Sequence, residues 1–178
     1  MRNFFYLLLL GVVLATVAVV VRSGMLARKD PGRPINSAMR EAMEARNPLY
    51  SEADETLIQR TYPNARKLPS GLRIQVRTPG KGEETPPHGA NIICHYSGRL
   101  LDGTEFDSSY RRGAPFTFRL GTGAVIRGWD EAFAQMHRGE RATLVIPYSL
   151  AYGAKGRPPT IPPKATLVFE VELIDWQG

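Results

Sequence analysis

The second part of this chain predicts an α+β domain in which an antiparallel sheet packs one face on a single short helix, and three observations carry that reading. Period-two alternation of apolar and polar residues sets in at Leu72 and returns in short runs as far as Leu173. Turn signals rich in Gly and Pro separate those runs. One stretch alone in this part, Trp129, Ala132, Phe133 and Met136, places apolar residues at i, i+3, i+4 and i+7, the spacing of a helix face. Several strands and one helix make an α+β domain rather than an alternating α/β one.

In chain order, Leu72, Ile74 and Val76 alternate with Arg73, Gln75 and Arg77, which predicts a half-buried strand with its basic side chains toward water. A loop with Pro79, Gly80, Pro86 and Pro87 follows. Residues 91–101 form the next strand, with Ile92, Cys94 and Tyr96 on one face and Asp102-Gly103 as the turn that ends it. Residues 116–120 make a further short strand. The helix carrying Trp129 is expected to stop at Arg138-Gly139, where Gly suits the C-terminal cap. Strands over 141–147 and 165–173 complete the set. The last places Leu167, Phe169, Val171 and Leu173 on one side and Thr166, Val168, Glu170 and Glu172 on the other.

The first part of the chain reads differently. Residues 4–21 are 18 residues without a charge, preceded by Arg2 and followed by Arg22, Arg28, Lys29 and Arg33. As a helix the run would extend about 27 Å at ~1.5 Å per residue, slightly less than the ~30 Å hydrocarbon layer. Residues 1–22 are therefore expected to be a transmembrane anchor or a signal segment, with Thr16-Val17-Ala18 as a tolerable cleavage site in the second case. The basic flank after Val21 favours a domain left in the cytoplasm. Residues 23–70 read as a linker, punctuated by Pro31, Gly32 and Pro34. Within it, 37–46 and 51–61 are expected as short helices, the second opening on Ser51-x-x-Asp54 and ending before Pro63. Their apolar faces, mainly Met39, Met43, Leu57 and Ile58, are thin enough to suggest solvated spacers, with docking on the domain or on a second copy as the alternative.

Composition excludes several functions. The formal charge is +6, but residues 1–70 hold ten Lys/Arg against six Asp/Glu, whereas 71–178 hold thirteen against eleven. A basic groove for nucleic acid is thus not expected in the domain. One Cys, Cys94, and three scattered histidines, His88, His95 and His137, offer no zinc spacing. Gly121-Thr122-Gly123-Ala124-Val125-Ile126 starts like a dinucleotide fingerprint, yet Ile stands where its third glycine belongs and no βαβ unit surrounds it. No cofactor is implied. Ser108 and Ser149 lack a nucleophile elbow, and Pro158 to Pro163 reads as a stiff loop rather than an SH3 ligand. What stands out is aromatic density without an acid–base pair: Tyr96, Phe106, Phe116, Phe118, Trp129, Tyr152 and Phe169. An aromatic core accounts for them, but Trp129 in the first turn of the helix and Tyr152 in a Gly/Pro loop are also placed to floor and rim a pocket.

His95-Tyr96-Ser97-Gly98, Asp102-Gly103, Phe106-Asp107-Ser108-Ser109, Pro115-Phe116, Val125-Ile126-Arg127-Gly128-Trp129, Ala151-Tyr152-Gly153 and Ile161-Pro162-Pro163-Lys164-Ala165-Thr166-Leu167-Val168-Phe169 follow one another in the order and spacing of the FKBP-type peptidyl-prolyl cis-trans isomerases. The resemblance covers nearly all of 71–178. It implies a twisted antiparallel sheet of five or six strands wrapped around the helix, with the active site between helix and sheet. It implies further that Tyr96, Asp107, Trp129 and Tyr152 are catalytic and that Phe106, Arg112, Phe116, Val125, Ile126, Ile161 and Phe169 bind substrate. Partners implied are proline-containing polypeptides and macrolides such as tacrolimus or rapamycin; the membrane, through residues 4–21, is expected from the hydrophobic run, which lies outside the resemblance. The family's frequent extracytoplasmic use with hydrophobic N-termini implies a periplasmic or lumenal domain, against the charge count. Arg157 and Thr160 depart from the His and Ile that often rim the family pocket, and substrate preference and macrolide affinity depend on that rim. A membrane-tethered chaperone or assembly module that binds without catalysing stands as the other function.

Overall fold

The computed structural model describes residues 48–178. The hydrophobic run 4–21 and the first expected spacer helix, 37–46, lie outside the described residues. Helix α1 spans Glu52–Thr61 and α2 spans Arg127–Phe133. The strands are β1 (Arg66–Lys67), β2 (Arg73–Thr78), β3 (Asn91–Leu100), β4 (Glu105–Ser108), β5 (Phe116–Arg119), β6 (Arg141–Ile146) and β7 (Leu167–Gln177). All pairings are antiparallel, in the order β1-β2-β6-β7-β3-β4. The far edge of β3 is shared: β5 pairs its first half, Asn91 to Cys94, and β4 its second, Ser97 to Arg99. The sheet therefore has seven strands, not five or six. The additions are β1, two exposed basic residues with no alternation to betray them, and β4, only four residues long.

One face of the sheet holds the main core. Ile92, Cys94 and Tyr96 of β3, Leu144 and Ile146 of β6, and Leu167, Phe169, Val171 and Leu173 of β7 all point into it and are at most 6% exposed. Helix α2 lies against this face through Trp129, Ala132 and Phe133. Burying each of the two large rings is worth roughly 1.5–3 kcal/mol. The approach is close enough that a Cβ on Gly128 would sit 2.6 Å from Ile146 Cγ2, so only glycine fits there. The helix ends at Phe133, earlier than the apolar stripe suggests. Gln135 N–H and Met136 N–H reach back only three residues, to Ala132 and Phe133, so the chain tightens into turns that still bury Met136.

Helix α1 caps as expected, with Ser51 Oγ accepting from Asp54 N–H at 3.0 Å. It is not a solvated spacer. Ile58 is fully buried against Tyr50 and Val145, and Val145 faces away from Leu144 and Ile146, so α1 covers the sheet face opposite α2. Tyr50 Oη donates to Gly71 O (2.7 Å) and Val145 O (3.1 Å), and Thr166 Oγ1 donates to Asp54 Oδ2 (2.7 Å). This docking changes the expectation for β2 at Arg73, which is 6% exposed, ion-paired to Glu55 and lying over the Tyr50 ring; Leu72 and Ile74 are buried as expected, whereas Val76 is 51% exposed.

Candidate active site

Between α2 and the sheet opens a cavity of about 280 Å³, lined by Tyr96, Phe106, Asp107, Phe116, Ala124, Val125, Ile126, Trp129, Tyr152, Arg157 and Phe169. Trp129 forms its floor. The indole meets Tyr96 at 4.9 Å and 80°, Phe169 at 5.2 Å and 81°, and Phe116 at 6.0 Å and 75°, all edge-to-face arrangements that hold the ring planes in a fixed mutual geometry. Its buried N–H finds no acceptor among the described residues. Phe106 packs edge-on to Phe169 at 5.5 Å. Their contact depends on Gly98 of β3: a Cβ there would come within 2.6 Å of Phe169 Cε1 and 2.8 Å of Phe106 Cζ.

The register of the β3–β4 pair sets Asp107 opposite Gly98, at the mouth of this aromatic box. Tyr96 Oη donates to Asp107 Oδ2 at 2.5 Å, Arg112 donates to Oδ1 and also to Tyr96 Oη (2.7 Å), and Ser108 N–H donates to Oδ1 at 2.8 Å. Partial burial works against the carboxylate's charge, but the Tyr96 hydroxyl, the Arg112 guanidinium and the Ser108 N–H together hold its pKa below the usual range. Burial, and then the neighbouring Asp107, raise that of Tyr96. Asp107 is therefore a fixed negative charge at neutral pH and Tyr96 a neutral phenol. Tyr152 and Ile126 stand on the remaining rim; the Tyr152 hydroxyl makes no hydrogen bond among the described residues.

Nine of the residues singled out from the sequence thus line one cavity: Tyr96, Phe106, Asp107, Phe116, Val125, Ile126, Trp129, Tyr152 and Phe169. Arg112 is off the lining and reaches it through Asp107 and Tyr96. Ile161 is not on the lining either. It is 3% exposed and its backbone closes the loop that carries Arg157, with Arg157 N–H donating to Ile161 O (2.8 Å) and Ile161 N–H to Arg157 O (3.0 Å). The lining also includes Ala124, which carried no signal beyond its place beside Val125, and Arg157, noted in the sequence only as a departure at the rim. None of the three histidines lines the cavity. His95 Nδ1 lies 2.9 Å from Ser109 Oγ with its ring stacked on Tyr110, His137 pairs with Glu140, and His88 meets Gly121 O. Cys94 is fully buried in β3, beside Phe116 of β5, and burial pushes its thiol up to about 12, so it is inert packing. A larger hollow of about 500 Å³ lies beside α1, between Leu49, Tyr50, Glu52, Glu55, Thr56 and Lys67. Its one aromatic wall has its hydroxyl already committed to Gly71 and Val145, and nothing there converges on a point. The aromatic cavity is the candidate site.

The architecture has solved counterparts: a crystal structure of AtFKBP13 superposes with a TM-score of 0.60 at 40% identity, over 64% of this chain and 99% of that one. FK506-binding protein 1 of Dictyostelium discoideum is 51% identical over 107 residues, 60% of this chain and 99% of the relative. FK506-binding protein 59 of Drosophila melanogaster is 50% identical over 108 residues, 61% of this chain, and the match spans only 25% of that longer protein. The model of the FKBP-type peptidyl-prolyl cis-trans isomerases matches residues 82–174, from the loop before β3 into β7. With that match over more than half of the chain, and with an aromatic cavity between helix and sheet, the chain belongs to the FKBP family and is a peptidyl-prolyl cis-trans isomerase.

Proposed function

We propose that the cavity receives the proline of an X-Pro segment and accelerates rotation about the bond before it by favouring the twisted amide. The observation that carries this reading is the combination of an aromatic-walled cavity with a single carboxylate at its mouth, held charged by Arg112 and Tyr96. Peptide resonance sets a barrier of ~18–20 kcal/mol, and uncatalysed X-Pro rotation takes tens to hundreds of seconds. In the twisted state the amide loses its conjugation and much of its polarity, so a water-excluding pocket stabilises it over the planar form. Each ~1.4 kcal/mol of that preference is a factor of ten in rate.

The prolyl ring rests on Trp129, walled by Tyr96, Phe116 and Phe169. Ile126 N–H and the Tyr152 hydroxyl bind substrate carbonyls, and Asp107 stands near the carbonyl carbon of the rotating bond. Support for these roles is that the Tyr152 hydroxyl has no other partner among the described residues and that the Ile126 N–H donates to no other backbone group among them. No proton leaves its atom. The same box is the binding site for FK506-type macrolides, the ligand for which two of the relatives are named. The uncharged run 4–21 supports a membrane tether; a domain outside the cytoplasm is the placement the family resemblance favours, against the basic flank after Val21. Protease protection in spheroplasts checks that placement, and a domain inaccessible from outside the inner membrane contradicts it. The function is tested with the full chain on an X-Pro peptide in a protease-coupled assay. Acceleration that FK506 suppresses is expected; binding of proline peptides without acceleration would instead establish a tethered binding module.

A further inference from the structure

The mouth of the cavity carries one arginine that the mechanism leaves unused. Arg112 is taken by Asp107 and Tyr96, and Arg111 lies 3.2 Å from Glu105. Arg157 lines the cavity, its guanidinium 6.0 Å from the centroid of the Tyr152 ring, and has no carboxylate or carbonyl partner among the described residues. Its backbone, by contrast, is fixed from both sides by the paired hydrogen bonds to buried Ile161. A charge rooted on a pinned backbone and lying over a rim tyrosine is held within reach of the cavity mouth.

The surroundings do not cancel this charge. Arg127 follows Ile126 at the start of α2, and Lys155 lies two residues before Arg157; neither has an ion pair among the described residues. Asp107 is the one carboxylate on the lining, and both its oxygens are occupied, Oδ1 by Arg112 and Ser108 N–H and Oδ2 by Tyr96. A carboxylate brought in by the substrate would therefore meet an unpaired guanidinium at the rim and little opposing charge.

We propose that Arg157 is a specificity-determining residue that selects proline segments carrying an Asp or Glu directly before or after the proline. This rests on the isomerase reading of the cavity. The group is exposed, so the preference has the size of a single solvent-facing ion pair, about two- to fivefold in kcat/KM. It falls as salt shortens the screening length.

The test uses the full chain and peptides that differ only in Glu or Gln at the residue before or after proline, with cis–trans exchange followed by NMR. Glu and Gln share a shape, so their ratio reports charge alone. The wild type is expected to favour Glu in at least one of the two positions at about 50 mM salt and to lose that preference near about 500 mM. Arg157→Gln should lower the Glu/Gln ratio about two- to fivefold. Arg157→Lys should keep part of it, and Arg157→Glu should bring it below one. Lys155→Gln, which removes a nearby charge off the lining, should leave the ratio in place. A ratio indifferent to Arg157→Gln, or moved as far by Lys155→Gln, overturns the proposal while the isomerase reading stands. Failure of the wild type to accelerate any of the peptides overturns both.

Discussion

Five aromatic rings surround Trp129, those of Tyr96, Phe116, Phe118, Phe133 and Phe169, and the same indole floors the cavity. Its removal should therefore cost stability and activity together. Trp129→Ala is expected to destabilise by roughly 3–5 kcal/mol, read from denaturant unfolding, because a buried ring leaves a cavity that its neighbours fill only in part. Trp129→Leu should cost less stability and still weaken proline binding. Tyr152→Phe separates the two effects: the ring stays, and one hydrogen bond of about 0.5–1.5 kcal/mol to the substrate is lost. It should raise KM without shifting the unfolding midpoint. Single residues were the most legible level of the sequence. Tyr96, Asp107 and Trp129 sit in short blocks whose order marks the family, and their chemistry requires the box they build. Ile161 is off the cavity lining, and an apolar residue beside a pocket and one anchoring the pocket's loop read identically until the backbone bonds to Arg157 are seen.

At the scale of elements, alternation located β3 and β7 because one of their faces is wholly buried, and it failed where burial is decided from elsewhere. Arg73 reads as a solvent-facing member of β2, yet α1 arrives over it with Glu55 and Tyr50 and buries it. The thin apolar stripe of α1 concealed this, since one residue, Ile58, supplies its buried contact and polar bonds from Asp54 and Glu55 supply the rest. Helix α1 is thus part of the packed body, on the face away from the cavity. Ile58→Ala should destabilise by about 2–5 kcal/mol, measured by thermal or denaturant unfolding. The kcat/KM of the folded fraction should not change, because Ile58 touches nothing on the lining. A parallel loss of both would mean that α1 shapes the site through the sheet.

For the whole molecule, acid is the condition that attacks fold and site together. Burial opposes the charge of Glu55 and Asp107, but Arg73 and Gln59 in one case and Tyr96, Arg112 and Ser108 in the other hold both carboxylates below their ordinary pKa. A carboxyl group depressed on folding stabilises the native state fully above its unfolded pKa of about 4 and loses that contribution as pH falls through the lower folded value. The unfolding midpoint should accordingly be level above about pH 5 and decline below about pH 4. Glu55→Gln should flatten part of that decline, by removing a group whose charge the fold prefers.

The central claim is that catalysis moves no proton. Asp107 is held ionised and Tyr96 neutral, both titrating away from neutrality, and no histidine among the described residues lines the cavity. The measurement that tests this most directly is kcat/KM for an X-Pro peptide across pH. The account predicts a nearly flat profile from about pH 5.5 to about pH 9, kept in Asp107→Asn at a moderately lower level. A tenfold limb near neutrality that disappears on substituting His95 or His137 would contradict it and establish general acid catalysis in its place.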